Sequence, residues 1–141
     1  MVMRLLAGCA MMAGCVIIHA AGIAWALRWL RRGPLPDGFW PGTWLFVRLA
    51  LWMVLLHLTE ITVWATMYVW NRALPDLPSA LYFSVVTYTT TGYGDVVLPP
   101  PWRLDAGIEA LTGILMCGWS TGFFFAIVSR LHQRQVGGDR A

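Results

Sequence analysis

Three long apolar stretches divide the chain, and each is long enough to cross a lipid bilayer as a helix. They run over residues 5–27, 44–70 and 104–128, whereas a membrane helix needs only about 20 such residues. A fourth apolar stretch, residues 80–86, is too short to cross and leads into a segment rich in threonine and glycine. A short helix followed by glycine-containing, non-helical backbone is typical of a re-entrant segment. The pattern predicts three membrane-spanning helices and one re-entrant loop.

The composition agrees with a chain that is solvated largely by lipid. Apolar residues make up 58% of the 141 residues and charged residues only 12%, with a mean hydropathy of +0.62. A soluble domain of this size has about a quarter of its residues charged. The three cysteines all lie in apolar stretches, so no disulfide framework is implied. These features exclude a cytosolic enzyme and a secreted disulfide-rich domain.

The positions of the arginines predict the orientation of the spans. The net charge is +3, and the arginines concentrate in residues 28–48 and after the last span. The positive-inside rule therefore places that connection and the C-terminus in the cytoplasm, with the N-terminus and the re-entrant loop outside. This topological explanation accounts for the basic excess without nucleic-acid binding. The tryptophans fit the same arrangement, with Trp25, Trp29, Trp40 and Trp44 predicted at the inner interface and Trp64, Trp70 and Trp102 at the outer one.

The first span has a second interpretation, as a signal peptide, because Arg4 precedes it and small residues follow at Ala20 and Ala21. The apolar run is longer than such a signal requires and continues to a basic cluster, which favours a retained membrane helix. Gly8, Gly14 and Gly22 in this span are predicted to allow close helix packing.

The re-entrant segment carries the string Thr87-Tyr88-Thr89-Thr90-Thr91-Gly92-Tyr93-Gly94-Asp95. In an apolar loop between two spans, this string resembles the pore helix and selectivity filter of potassium channels. The resemblance covers residues 44–131 as an outer helix, a pore loop and an inner helix. It implies an all-α membrane protein that assembles as a homotetramer and conducts K⁺ passively through a carbonyl-lined filter.

The geometry of the loop agrees with that resemblance. A helix over residues 79–89 is about 16 Å long, and five near-extended filter residues return about the same distance. Asp76, Pro78 and Ser79 supply signals for the start of the helix. Its carboxyl end places the negative pole of the helix dipole at mid-membrane, where a dehydrated cation needs stabilisation.

The ion-binding groups predicted for K⁺ are the carbonyls of Thr90, Thr91, Gly92 and Tyr93, with the Thr90 hydroxyl. These oxygens carry no net charge, and Gly92 and Gly94 permit the unusual backbone angles that a carbonyl-lined path requires. The predicted filter therefore spans residues 90–94. Tyr93 is expected to point away from the pore and brace the filter against Tyr82 and Phe83.

The residues predicted to support the filter are Thr87, Thr89, Asp95, Tyr82 and Glu109. Two positions differ from the family pattern: Thr91 stands where a valine is common, and Val86 stands where some members carry a glutamate that pairs with the aspartate after the filter. Thr91 places a hydroxyl behind the filter, so a weakly selective channel for Na⁺ and K⁺ is the alternative function. Asp95 must find another partner or water.

Two carboxyl groups lie inside the predicted spans. Glu60 and Glu109 are about 16 Å and about 9 Å from the outer ends of their helices, which is the depth of the filter. An ionisable group inside a span is a functional hypothesis by default. Glu109 is expected either to bond the back of the pore helix or filter, or to hold two helices together as a buried carboxyl.

The remaining ionisable groups in the spans have weaker signals. His57 shares a helix face with Glu60, but the pair lacks two further ligands for a metal. His19 and Arg48 are interpreted as packing and interface positions. On the register of the resemblance, Gly113 falls at a possible gating hinge, although Gly107, Gly118 and Gly122 lie in the same span.

The sequence predicts an N-terminal helix over 1–32, a cytoplasmic connection over 33–43, a pore domain over 44–131 and a short tail over 132–141. Within the pore domain the outer helix is 44–71, the pore helix 79–89, the filter 90–94 and the inner helix 103–130. The expected partners are copies of the same chain, membrane lipid and monovalent cations. No cofactor besides permeant K⁺ is expected, and a bacterial inner membrane is the expected location.

Two other classes of function remain open. Residues 92–95 also fit the Gly-x-Gly-Asp pattern of intramembrane aspartyl proteases, but no second aspartate lies on a facing span to share a proton. An enzyme is therefore not expected. A non-conducting subunit that only assembles with other pore chains is the other class, and the complete filter motif argues against it.

Overall fold

The computed structural model describes residues 2–33, 36 and 38–138. It contains four α-helices: α1 (Val2–Arg31), α2 (Phe39–Trp70), α3 (Leu77–Tyr88) and α4 (Arg103–Gly138), with a 3₁₀ turn over Pro100–Trp102 ahead of α4. Of these, α1, α2 and α4 are long and apolar enough to cross a membrane. The described residues form no strand. The predicted all-α membrane fold is confirmed.

Helices α1 and α4 start at the same end of the bundle, and α2 runs in the opposite direction. At that end the Arg4 guanidinium donates to the Pro101 carbonyl (2.6 Å) and lies 4.1 Å from the centre of the Trp102 ring. At the other end, Ile23 of α1 and Ile127 of α4 belong to one apolar cluster with Leu45, near the start of α2. The α2–α3–α4 connections therefore lie at the end that carries the start of α1.

Two apolar clusters hold the bundle together, one at each end. The larger cluster includes Trp64 and Tyr68 of α2, Phe83 of α3 and Met116 of α4. It lies against α3, which packs between α2 and α4. Burial of aromatic side chains of this size is strongly favourable. The short helix is therefore fixed from behind by the largest side chains of the core.

Two helix boundaries differ from the predicted ones. Helix α2 begins at Phe39 rather than 44 because Pro41 falls in its first turn. The N–H groups of a first turn have no partner within the helix, so a proline there removes no hydrogen bond. Helix α4 continues to Gly138, beyond the predicted end at 130, since residues 131–136 contain neither proline nor glycine. The predicted tail is helical as far as Gly138. Residues 34, 35 and 37 of the predicted connection and residues 139–141 of the tail lie outside the described residues.

Trp64 does not lie at the outer interface, and that prediction is wrong. Its side chain is completely buried, whereas Trp70 is 85% exposed. Helix α2 continues six residues beyond Trp64, so the residue lies well below the helix end and packs against Tyr68. In α1, Gly8 and Gly22 lie against side chains of α4 and α2 respectively, whereas Gly14 faces open space.

Candidate ion-conduction site

The start of the short helix α3 is fixed by its cap. The Asp76 carboxylate accepts a hydrogen bond from the backbone N–H of Ser79 (2.8 Å), and Pro78 occupies the first turn. Both features satisfy or avoid unpaired N–H groups at a helix start. The helix spans 77–88, compared with the predicted 79–89, and Thr89 caps its end. Its carboxyl end leads directly into the predicted filter.

The sign of the backbone angle φ alternates along the predicted filter. Thr90 (φ 58°), Gly92 (φ 54°) and Gly94 (φ 78°) have positive φ, whereas Thr91 and Tyr93 between them do not. Alternating signs of φ allow successive carbonyl groups to face the same side. A positive φ is strained for the β-branched Thr90. Strain of this kind is typical of functional sites whose surroundings enforce it.

Two backbone hydrogen bonds tie the strained segment to the end of α3. The N–H of Thr90 donates to the Thr87 carbonyl (2.9 Å), and the N–H of Gly92 donates to the Val86 carbonyl (3.0 Å). The Thr89 hydroxyl donates to the Val85 carbonyl (2.7 Å) and lies 2.9 Å from the Thr91 hydroxyl. Since the Thr89 proton is already used, Thr91 is the donor of that contact.

The filter segment is uncovered on its other side. Residues 89–95 are all exposed, and Tyr93 is 72% exposed. The described part of the chain therefore offers them little cover. Unpaired backbone at membrane depth is tolerated only where it lines a watery path or is buried in protein.

Asp95, directly after the filter, has Tyr82 as its partner. The Tyr82 hydroxyl donates to the Asp95 carboxylate at 2.5 Å. This hydrogen bond favours the ionised carboxylate and holds the pKa of Asp95 below its usual range. The same bond is the main cause that raises the pKa of Tyr82. Tyr82 thus reaches the end of the filter through Asp95.

Glu109 lies behind α3, fully buried. The Tyr68 hydroxyl of α2 donates to one of its oxygens (2.8 Å) and so connects α2 to α4. Its second oxygen and the Ser84 hydroxyl of α3 are both buried without a hydrogen-bonding partner in the described part of the chain. The carboxyl group therefore holds two helices together at the back of the pore helix.

Glu60 lies at the centre of a larger polar cluster that closes into a ring. One carboxyl oxygen bonds Nδ1 of His19 (2.9 Å), and the other accepts from the Tyr88 hydroxyl. Nδ1 of His57 lies 3.1 Å from that hydroxyl, and the Ser120 hydroxyl lies 3.1 Å from Nε2 of each histidine. We call this set of five side chains the Glu60 ring.

Sequence reasoning missed the roles of His19 and Ser120 in this ring. Ligand atoms of His19, His57 and Glu60 lie within 4.8 Å of one another, close enough for a metal ion. Each of these atoms already has a hydrogen-bonding partner within the ring. A metal would have to displace those bonds.

A protein-family model described as "Ion channel" matches residues 52–130 of this chain, which is more than half of its length. The chain belongs to the ion-channel family. Among the curated proteins and the solved structures, no match to the chain is significant. The matched segment takes in α3, the filter, and most of α2 and α4, while α1 lies outside it.

Membership of this family favours passive ion conduction by a multi-pass membrane protein over the protease interpretation. The geometry around Asp95 points the same way, because its recorded side-chain partner is the Tyr82 hydroxyl rather than a second carboxyl. A proton-sharing aspartate pair needs the two carboxyl groups in contact.

Gly113 lies where α4 touches the end of α3. A Cβ atom built there would lie 1.8 Å from the Tyr88 carbonyl oxygen and 2.7 Å from its carbonyl carbon. Both atoms are backbone, so the absence of a side chain lets α4 touch the end of α3. By contrast, Gly107, Gly118 and Gly122 have open space around them. The hinge role of Gly113 stays a prediction, while its packing role is visible.

Proposed function

We propose that this protein is a potassium-selective channel in which residues 90–94 form the selectivity filter. The observation that carries the proposal is the alternating φ of residues 90–94 at the carboxyl end of α3. Carbonyl oxygens of Thr90, Thr91, Gly92 and Tyr93 replace the water around a permeating K⁺ ion. Because they are uncharged, a monovalent cation can leave as readily as it enters.

The proposal includes assembly as a homotetramer. One loop supplies one wall of a carbonyl cage, and the exposed residues 89–95 need cover that the described part of this chain does not supply. Neighbouring copies give both the remaining oxygens and a surface for the exposed Tyr93 ring. Membrane lipid covers the outside, in a bacterial inner membrane, with the C-terminus in the cytoplasm as the arginine distribution predicts.

Purified protein reconstituted in lipid vesicles tests the function directly. We expect K⁺ flux without an energy source and a reversal potential that follows the K⁺ gradient. Filter variants Gly92→Ala and Gly94→Ala serve as matched inactive controls that still insert. Wild-type flux from either variant would show that the loop is not the ion path.

Thr91 separates the main proposal from its alternative, a weakly selective cation channel. Its hydroxyl donates to Thr89 behind the filter, in place of the apolar contact that a valine would make. We expect Thr91→Val to shift reversal potentials towards stronger preference for K⁺ over Na⁺. If the wild type shows no preference between the two ions, the weakly selective channel is the correct function.

The mass of the assembly in mild detergents tests the number of copies. A tetramer is expected in several detergents. A monomer or dimer in all of them would contradict the fourfold pore. A stable tetramer with no flux under any gradient would instead favour a non-conducting assembly subunit.

A further inference from the structure

The Glu60 ring joins all four helices at one buried point. His19 comes from α1, His57 and Glu60 from α2, Tyr88 from α3 and Ser120 from α4. Each side chain contacts the next, which gives five contacts in a closed circle. His19, Glu60 and Ser120 are buried. Tyr88 is buried as well, while the His57 side chain is partly exposed, so water has little access to the contacts that do not involve His57.

Counting protons shows that the ring is one proton short when Glu60 is ionised. Each of the five contacts needs one hydrogen, but the neutral His19, His57, Tyr88 and Ser120 bring one each. With Tyr88 donating to Glu60, the tautomers of His19 and His57 decide which of the remaining contacts has no hydrogen. One contact is always unmade, and the ring also carries one negative charge inside the membrane.

One additional proton removes both problems. With the proton on His57, its Nδ1 donates to the Tyr88 oxygen, and Tyr88 donates to the Glu60 carboxylate. With the proton on Glu60, the carboxyl donates to Tyr88, which then donates to His57. In either arrangement all five contacts are hydrogen bonds and the net charge is zero. Buried charge and unpaired polar groups are both costly, so the proton-loaded ring is strongly favoured.

We propose that the Glu60 ring is a proton-binding site within the membrane, and that its proton controls how firmly the end of α3 is held. Other titratable groups face the ring from its surroundings: the thiols of Cys15 on α1 and Cys117 on α4 both lie within electrostatic range of Glu60. Neither thiol supplies one of the five ring contacts.

The link from the ring to the filter passes through Tyr88, and this half of the proposal rests on the proposed function. Its hydroxyl is a ring member, and its carbonyl touches α4 at Gly113. Tyr88 is the last residue of α3 and stands two residues before the strained Thr90. Loss of the proton leaves the ring that holds Tyr88 with one contact unmade and one buried negative charge, and so loosens this attachment.

The variant Glu60→Gln separates a proton site from a purely structural ring. The glutamine amide supplies the fifth hydrogen permanently, because it donates to the Tyr88 oxygen while its carbonyl accepts from His19. The ring is then complete and neutral without an added proton. We expect this variant to assemble normally and to lose the pH dependence that the wild type shows.

The experiment measures the thermal stability of the purified, assembled channel from about pH 6 to about pH 9, which brackets the titration of histidine. Above about pH 6.5 the unfolded histidines are neutral, so the folded chain holds one proton more than the unfolded chain. Wild-type stability should therefore fall as pH rises, with the unfolding equilibrium constant increasing about tenfold per pH unit for each protomer until the proton is lost. Glu109 is a second fully buried carboxyl whose titration would add to that of the ring, so the two arms are compared on a Glu109→Gln background. On that background the chain with Glu60 should keep the fall of stability with pH, and Glu60→Gln should be flat.

K⁺ flux over the same pH range gives the second readout. Flux should fall with rising pH in the wild type and stay constant in Glu60→Gln. A pH-dependent stability with no flux at any pH would support the proton site and contradict the proposed function. A flat wild-type stability curve, or failure of Glu60→Gln to assemble, would overturn the proton site. Stabilisation by Zn²⁺ that Glu60→Gln abolishes would also overturn it and assign a metal site.

Discussion

The pore loop has two faces whose surroundings differ sharply. Its back, formed by α3, is packed against α2 and α4, with Tyr88 held by the Glu60 ring and Ser84 buried beside Glu109. Its front, residues 89–95, is exposed and carries the strained backbone. The described part of one chain covers the first face and leaves the second open. The position of the loop is therefore determined within a protomer, whereas the proposed conducting surface is completed by neighbouring copies in the proposed tetramer.

The largest effect should come from adding a side chain where α4 touches the end of α3. Gly113→Ala places a Cβ atom where the Tyr88 carbonyl oxygen lies, at 1.8 Å, so α3 and α4 must separate. Overpacking of this kind costs about 1–3 kcal/mol, and the upper end applies because both neighbours are backbone. We expect loss of thermal stability and of K⁺ flux together.

Gly118→Ala is the matched control for that change, since no atom lies within 4 Å of the added carbon. It should be neutral or stabilise α4 by up to about 1 kcal/mol through helix propensity. Equal damage from the two variants would mean that helix flexibility, rather than the Tyr88 contact, explains the glycine.

Substitutions in the exposed front of the loop, residues 89–95, should affect ion flux rather than stability. Gly92→Ala and Gly94→Ala put a Cβ atom at positive φ, which opposes the filter backbone, but neither position has a neighbouring atom within 4 Å. We expect flux to be abolished while membrane insertion and protomer folding persist. Flux and circular dichroism on the same preparations check this. Unfolding of both variants would remove the contrast between the two faces.

A smaller effect is expected at Glu109, behind α3. One of its carboxyl oxygens accepts a hydrogen bond, and the other has no partner among the described residues. Glu109→Ala leaves the buried Tyr68 hydroxyl without an acceptor, at a cost of about 1–3 kcal/mol. Glu109→Gln keeps a carbonyl for Tyr68 and should conduct nearly normally. Thermal stability of the assembled channel and steady-state open probability compare the two. If alanine behaves like the wild type and glutamine is damaged, the charge matters rather than the hydrogen bond.

The smallest effect should be the removal of the Tyr82 hydroxyl. Its hydrogen bond holds the pKa of Asp95 below the ordinary value, so its stabilisation is present at neutral pH and is lost as pH falls through that pKa. Tyr82→Phe lets the pKa of Asp95 rise. We expect little change near neutral pH and a shift of acid-induced flux loss to higher pH. On an Asp95→Asn background the same change should leave the acid profile unaltered.

Features of this molecule that depend on residues close together in the chain are predictable from the sequence. The start of α3 follows from Asp76, Pro78 and Ser79 because the cap is made within four residues. The three spans follow from length and composition, and their existence is confirmed. Boundaries are less certain, since a proline in a first turn, as at Pro41, does not prevent a helix from starting.

The Glu60 ring is not predictable in this way, because its members come from four helices. Ser120 and His19 are 101 residues apart in the sequence. Depth estimated from the helix ends is also misleading. The start of α1 and the end of α2 lie at the same end of the bundle, yet His19 is about 26 Å from the first and Glu60 about 15 Å from the second, at 1.5 Å per residue. Only the offset between the helices brings the two side chains to one level. The signals available in the sequence were the ionisable residues His19, His57 and Glu60 within apolar spans.

Helix α1 lies outside the segment that matches the ion-channel family, yet it supplies one member of the Glu60 ring. Deleting it would leave an oxygen of Glu60 and the Ser120 hydroxyl without His19 as a partner. A shortened descendant of this protein would therefore need an apolar replacement at Glu60 in the same step as the deletion. Through one shared carboxyl group, a helix outside the matched segment becomes a part that no single deletion removes without leaving buried polar groups unpaired.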